Sequence, residues 1–138
     1  MRYEQSEELA RIAEAVISVE PELQFLTSPD CRIAYLICSR AKRSRGKVVY
    51  AAAEKVKDKY KAFIESDFII TFYADALALD EDHQKRVMYH ELLHISFDGE
   101  KYSIVPHNVE DFRQCIDRWG VDWASDQGEQ MTIGKAGR

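Results

Sequence analysis

The sequence has little cysteine: Cys31, Cys38 and Cys115 are an odd number in 138 residues, with no tight pair among them. A disulfide framework is therefore not what holds the fold, and the thiols read as reduced, in a cytoplasmic protein. The 31–38 spacing is not Cys-x-x-Cys, which argues against a thiolate zinc site. No apolar run approaches the roughly 18 residues of a membrane span. The first eight residues, Met1 to Glu8, are polar and acidic and lack the pattern of a secretory signal. An excess of positive charge is missing too. With 24 acidic and 19 basic residues the net charge is −5, which does not suggest general nucleic-acid binding. An apolar fraction of 46% is enough for a packed core, and the length fits one domain.

Histidine is also scarce, with four in the chain, yet three fall in one arrangement. Tyr89-His90-Glu91-Leu92-Leu93-His94-Ile95 contains His-Glu-x-x-His. On a helix His90 and His94 project from one face a turn apart, so both rings can reach one Zn2+. Glu91 is placed to act on a metal-bound water without taking a ligand position, as the general base of a zinc hydrolase. Val87, Leu92, Leu93, Ile95 and Phe97 make the segment apolar enough to be buried, and buried histidines need partners. A catalytic zinc takes three protein ligands and an open fourth position. Asp98-Gly99 predicts a turn that ends the helix. His107 follows on a returning loop, with twelve residues between it and His94, and is the expected third ligand. Glu110 and Asp111 either complement the next helix N-terminus, orient the zinc-bound histidines, or replace His107 as a carboxylate ligand. His83, about 10 Å along the axis from His90, is too far to join them and reads as an exposed first-turn residue.

The rest of the chain supplies a frame. Ser6 as N-cap and Leu9, Ile12, Ala13, Val16 and Ile17 at helical spacing predict a helix over 6–19, ended by Pro21. Residues 22–30 read as a linker. Residues 32–38 and 48–56 predict two strands joined as a hairpin. Its tip carries Arg40, Lys42, Arg43, Arg45 and Lys47 around Gly46. That tip reads as a solvated loop or as a contact for an acidic partner, nucleic-acid phosphate included. Asp67 to Tyr73 is the clearest strand and apolar enough to be central. The active helix is expected from Asp80, its cap, to about Phe97. A last helix opens at Asn108 with Val109, Phe112, Ile116 and Trp119 as its stripe and Gly120 as its end. The expected domain is residues 1–124, with 125–138 as a flexible tail.

In this order the elements resemble a minimal zincin-like α+β fold: a three-stranded sheet packed by the N-terminal helix, the His-Glu-x-x-His helix and a C-terminal helix. More closely, the chain resembles the putative phage metallopeptidase family. The resemblance rests on Asp67-Phe68-Ile69-Ile70, on His90-Glu91-Leu92-Leu93-His94 and on Pro106-His107-Asn108-Val109-Glu110-Asp111-Phe112, and covers roughly residues 7–120. It implies a phage or prophage zinc peptidase with His90, His94 and His107 as ligands and Glu91 as base. It implies no particular substrate. The chain is also distantly similar to SprT-like proteases, which act on proteins attached to DNA.

The function expected is peptide-bond hydrolysis by Glu91-assisted attack of a zinc-bound water. Tyr73, Tyr89 and Tyr102 flank the motif as candidate oxyanion stabilisers. Two alternatives stay open: a non-catalytic zinc-binding interaction module, and a protease acting on DNA-associated proteins. A small-molecule or nucleic-acid metallohydrolase ranks last, because the further carboxylates of a two-metal site are absent near the motif.

Overall fold

A computed structural model describes residues 2–105 and 131–132 of the chain. A short strand, β1 (Tyr3–Gln5), leads into α1 (Glu7–Val19). The Ser6 side chain accepts a hydrogen bond from the Leu9 N–H at 3.1 Å, Glu7 and Glu8 occupy the first turn, and Leu9, Ile12, Ala13, Val16 and Ile17 are buried. This is the helix that the capping and spacing anticipate. Where a linker was expected, Pro21–Thr27 forms a 3₁₀ helix. Proline is preset for its first turn, and Leu23 and Leu26 enter the core.

Next come β2 (Ile33–Cys38), β3 (Lys42–Ser44), β4 (Lys47–Val49) and β5 (Ala51–Lys55). A second 3₁₀ helix (Asp58–Ala62) precedes β6 (Phe68–Phe72). Then follow α2 (Ala74–Leu77), α3 (Glu81–Leu92), β7 (Ile95–Phe97) and β8 (Tyr102–Ile104). The two-residue strand β9 (Met131–Thr132) runs parallel to β4.

The fold is α+β, and its main sheet has four strands in the order β1-β2-β6-β5, not three. The added strand, β1, is Tyr-Glu-Gln and exposed throughout, so no apolar pattern announces it. The expected hairpin between 32–38 and 48–56 does not form. β2 pairs parallel with β6, and β5 pairs antiparallel with its other edge. Phe68, Ile70 and Phe72 are fully buried, so β6 must satisfy its backbone groups within the protein on both edges. The basic segment instead closes on itself as the β3–β4 ribbon, which belongs to a separate three-stranded sheet in the order β3-β4-β9. Its turn places Arg45 and Gly46 at φ 55° and 78°, the left-handed region that glycine enters most easily. β5 then lies beside β6 with α3 against it. Asp67 ties the start of the sheet together. Its Oδ2 accepts the Arg32 N–H at 2.9 Å, and its Oδ1 pairs with Lys61.

α3 ends at Leu92, earlier than expected. Ile95-Ser96-Phe97 pairs with Tyr102-Ser103-Ile104 as a hairpin, and Asp98-Gly99 makes its turn. Asp98 Oδ1 accepts the Glu100 and Lys101 N–H groups, both at 2.9 Å, and Gly99 has φ 100°. The Asp-Gly signal thus closes a hairpin and does not end the helix. The helix expected from Asn108 and the boundary at 124 lie outside the described residues.

Candidate metal centre

α3 begins as its sequence dictates. Asp80 Oδ1 accepts the His83 N–H at 2.8 Å, and Glu81 and Asp82 sit in the positive first turn. One side of the helix is polar, with Lys85 near Glu81 at 3.9 Å and Arg86 near Asp82 at 3.5 Å. Val87, Met88 and Leu92 are completely buried. α1 and β5 pack against the helix, which carries His90 and Glu91 into the interior.

His90 and Glu91 have no exposed surface and His94 has 4%. One ligand-capable atom from each lies within 4.8 Å of the others. The two imidazoles meet edge to face, with centroids 5.0 Å apart and planes at 84°. His94 stands just beyond the helix, on the turn into β7. The helical turn still carries it to the right place, because Leu93 N–H donates to Tyr89 and His94 N–H to Glu91, each at 3.1 Å. The spacing of His90 and His94 therefore keeps its geometric meaning although the helix is shorter than expected.

A backbone group sets the chemistry of His94. Its Nδ1 is 2.8 Å from the Val105 carbonyl oxygen. A carbonyl only accepts, so Nδ1 carries the hydrogen and Nε2 is the basic nitrogen. This is how proteins fix the tautomer and orientation of a metal-binding imidazole. Two imidazoles buried together, with a carboxylate beside them to act on a bound water, suit zinc among the common metals. The structure therefore fits the group that the motif implies.

His83 is not the exposed residue expected; it is 5% exposed, with Nδ1 2.7 Å from Asp80 Oδ1. The Asp80 cap draws it inward. The hydrogen bonds from the His83 backbone and ring hold the Asp80 carboxyl below its ordinary pKa. His83 is not part of the metal-competent group found among the described residues. His107, Glu110 and Asp111 lie outside those residues.

The three flanking tyrosines separate. Tyr89 donates its hydroxyl to Glu22 Oε2 at 2.5 Å, tying α3 to the first 3₁₀ helix. Tyr102 stacks on Phe97 with centroids 4.4 Å apart. Tyr73, at the end of β6, is 8% exposed, and its phenol is pushed above the usual range by burial first and then by interaction with Cys38, Glu54 and Glu91. Tyr73 therefore stays protonated at neutral pH. A cleft of about 570 Å³ between α1 and β2, lined by Glu14, Gln24, Cys31 and Tyr35 among others, touches none of the three central residues.

The family model described as putative phage metallopeptidase matches residues 1–131. The chain belongs to the putative phage metallopeptidase family. No curated protein and no solved structure matches it. Membership of a metallopeptidase family implies a metal-dependent hydrolase acting on protein or peptide. The structure supplies a buried His-Glu-His cluster where such a metal would be held.

Proposed function

We propose that this phage metallopeptidase is a zinc-dependent peptidase, with His90, His94 and His107 as ligands and Glu91 as general base. The observation that carries the reading is the buried His90–Glu91–His94 group, in which Val105 leaves His94 Nε2 as the basic nitrogen. His107 is the third ligand on grounds of chain reach. Val105 is tied to His94, and His107 follows two residues later in the chain. Glu110 and Asp111 would orient the ligands.

Bound there, zinc would polarise the scissile carbonyl and lower the pKa of water to about 7. Glu91 accepts the proton of the attacking water and returns it to the leaving amine. Its burial keeps bulk water away from that transfer. Tyr73 is the phenol best placed to donate to the developing oxyanion. β5 is the last strand of the sheet and packs against α3, so an extended peptide would add along that edge.

The test is hydrolysis of a denatured protein substrate by the zinc-loaded wild type and by Glu91→Gln. Turnover by the wild type alone supports the reading. Turnover by neither, with zinc bound to both, would leave a zinc-binding interaction module.

A further inference from the structure

Five of the chain's 19 lysines and arginines fall between Arg40 and Lys47, and no acidic residue occurs between Asp30 and Glu54. The protein as a whole is acidic, so this is a segregation of charge. The structure turns that segment into a separate object. Arg40, Lys42, Arg43, Arg45 and Lys47 are all exposed on or beside the β3–β4 ribbon, whose β4 edge also pairs with β9. Among the described residues one carboxylate reaches them, Asp75 at 3.3 Å from Arg43.

The ribbon is presented rigidly. The Ala74 N–H donates to the Arg40 carbonyl at 3.2 Å. Lys42 Nζ sits 5.2 Å from the Tyr73 ring centroid, and Val49 is buried with Cys38 and Tyr73. The register pairs Ser44 with Lys47 and Lys42 with Val49, so Lys42 and Lys47 share one face while Arg43 takes the other. Arg45 stands at the tip. An anchored base means that little order is lost on binding. Repulsion among five neighbouring cations is relieved best by a polyanion.

We propose that the β3–β4 ribbon is a binding surface for the phosphate backbone of duplex nucleic acid. The cations on both faces and at the tip of the β3–β4 hairpin would meet phosphates of the duplex backbone. The assignment needs no metal and no peptidase activity, so it stands or falls separately from the proposed hydrolysis.

The experiment is fluorescence anisotropy of a labelled 20-base-pair duplex with the full chain, titrated between 50 and 200 mM salt. The same titration is made with Arg40→Gln/Lys42→Gln/Arg45→Gln/Lys47→Gln and with Arg40→Lys/Arg45→Lys. The wild type should bind at low salt and weaken by about 10²-fold across that range, as about four phosphate contacts require. The glutamine variant should lose most of that binding and its salt dependence, and the lysine variant should keep both. No duplex binding by the wild type at 50 mM salt would overturn the proposal. So would undiminished binding by a folded glutamine variant. Tighter binding of polyglutamate than of the duplex would assign the ribbon to an acidic polypeptide instead. Should the glutamine variant not fold, a flat salt response of the wild type alone refutes it.

Discussion

His94 and Val105 hold each other twice. The imidazole Nδ1 donates to the Val105 carbonyl at 2.8 Å, and the Val105 N–H donates to the His94 carbonyl at 2.7 Å. The β7–β8 hairpin is the connection that makes this possible, since its two arms start at one residue and finish at the other. A short local structure thereby sets the tautomer of a proposed ligand.

That dependence is open to test at Gly99. A Cβ there would meet nothing within 4 Å, so the penalty of a side chain is its φ of 100° and not a clash. Gly99→Val should loosen the hairpin and weaken zinc binding by about 10- to 100-fold, the usual effect of losing a ligand's orienting partner. Gly99→Asn, which tolerates positive φ better, should lose less. Competition with a chelator reads the affinity. Equal zinc affinity in all three proteins would mean that the hairpin does not position His94.

Glu91→Gln keeps the volume and removes the base. Zinc content should stay at the wild-type level while the hydrolysis rate falls by about 10²- to 10⁴-fold. Full activity in the variant would remove Glu91 from the mechanism.

Tyr73→Phe removes one phenolic hydroxyl at the end of β6. A drop in kcat of about tenfold or more with unchanged zinc content and KM is expected of an oxyanion donor. A change confined to thermal stability would make Tyr73 a packing residue only.

Much of this was legible in the sequence, for identifiable reasons. Ser6 and Pro21 bracket α1 because a cap and a fixed φ act locally. The buried alternation of Phe68, Ile70 and Phe72 marks β6 as central. His90 and His94 converge because their spacing survives even where the helix stops two residues short of His94. Strand partners were not legible, since the pattern of β2 fits a hairpin as well as the parallel neighbour of β6. Nor was the role of Val105, whose contribution is a carbonyl that every residue possesses.

Asp67 allows a pH prediction. Burial alone would raise its carboxyl, but the hydrogen bonds from Lys61 and the Arg32 backbone outweigh that and leave it below its ordinary value of 3.8. A lowered native pKa means that the ionised form contributes stability above the unfolded value, and this is lost as pH falls below about 4. Asp67→Asn should destabilise at neutral pH by about 1 kcal/mol and should narrow toward the wild type in acid. Thermal unfolding at pH 7 and pH 3 measures both. A difference that stays constant across that range would show that the charge of Asp67 is not what stabilises the junction.

The most direct measurement is zinc per chain in protein purified without added metal, for wild type, His94→Ala and His107→Ala. The expected result is one zinc per wild-type chain and a sharp loss in both variants. Zinc retained by His107→Ala would move the third ligand to Glu110 or Asp111. No zinc in the wild type, even after addition of the metal, would contradict the peptidase reading.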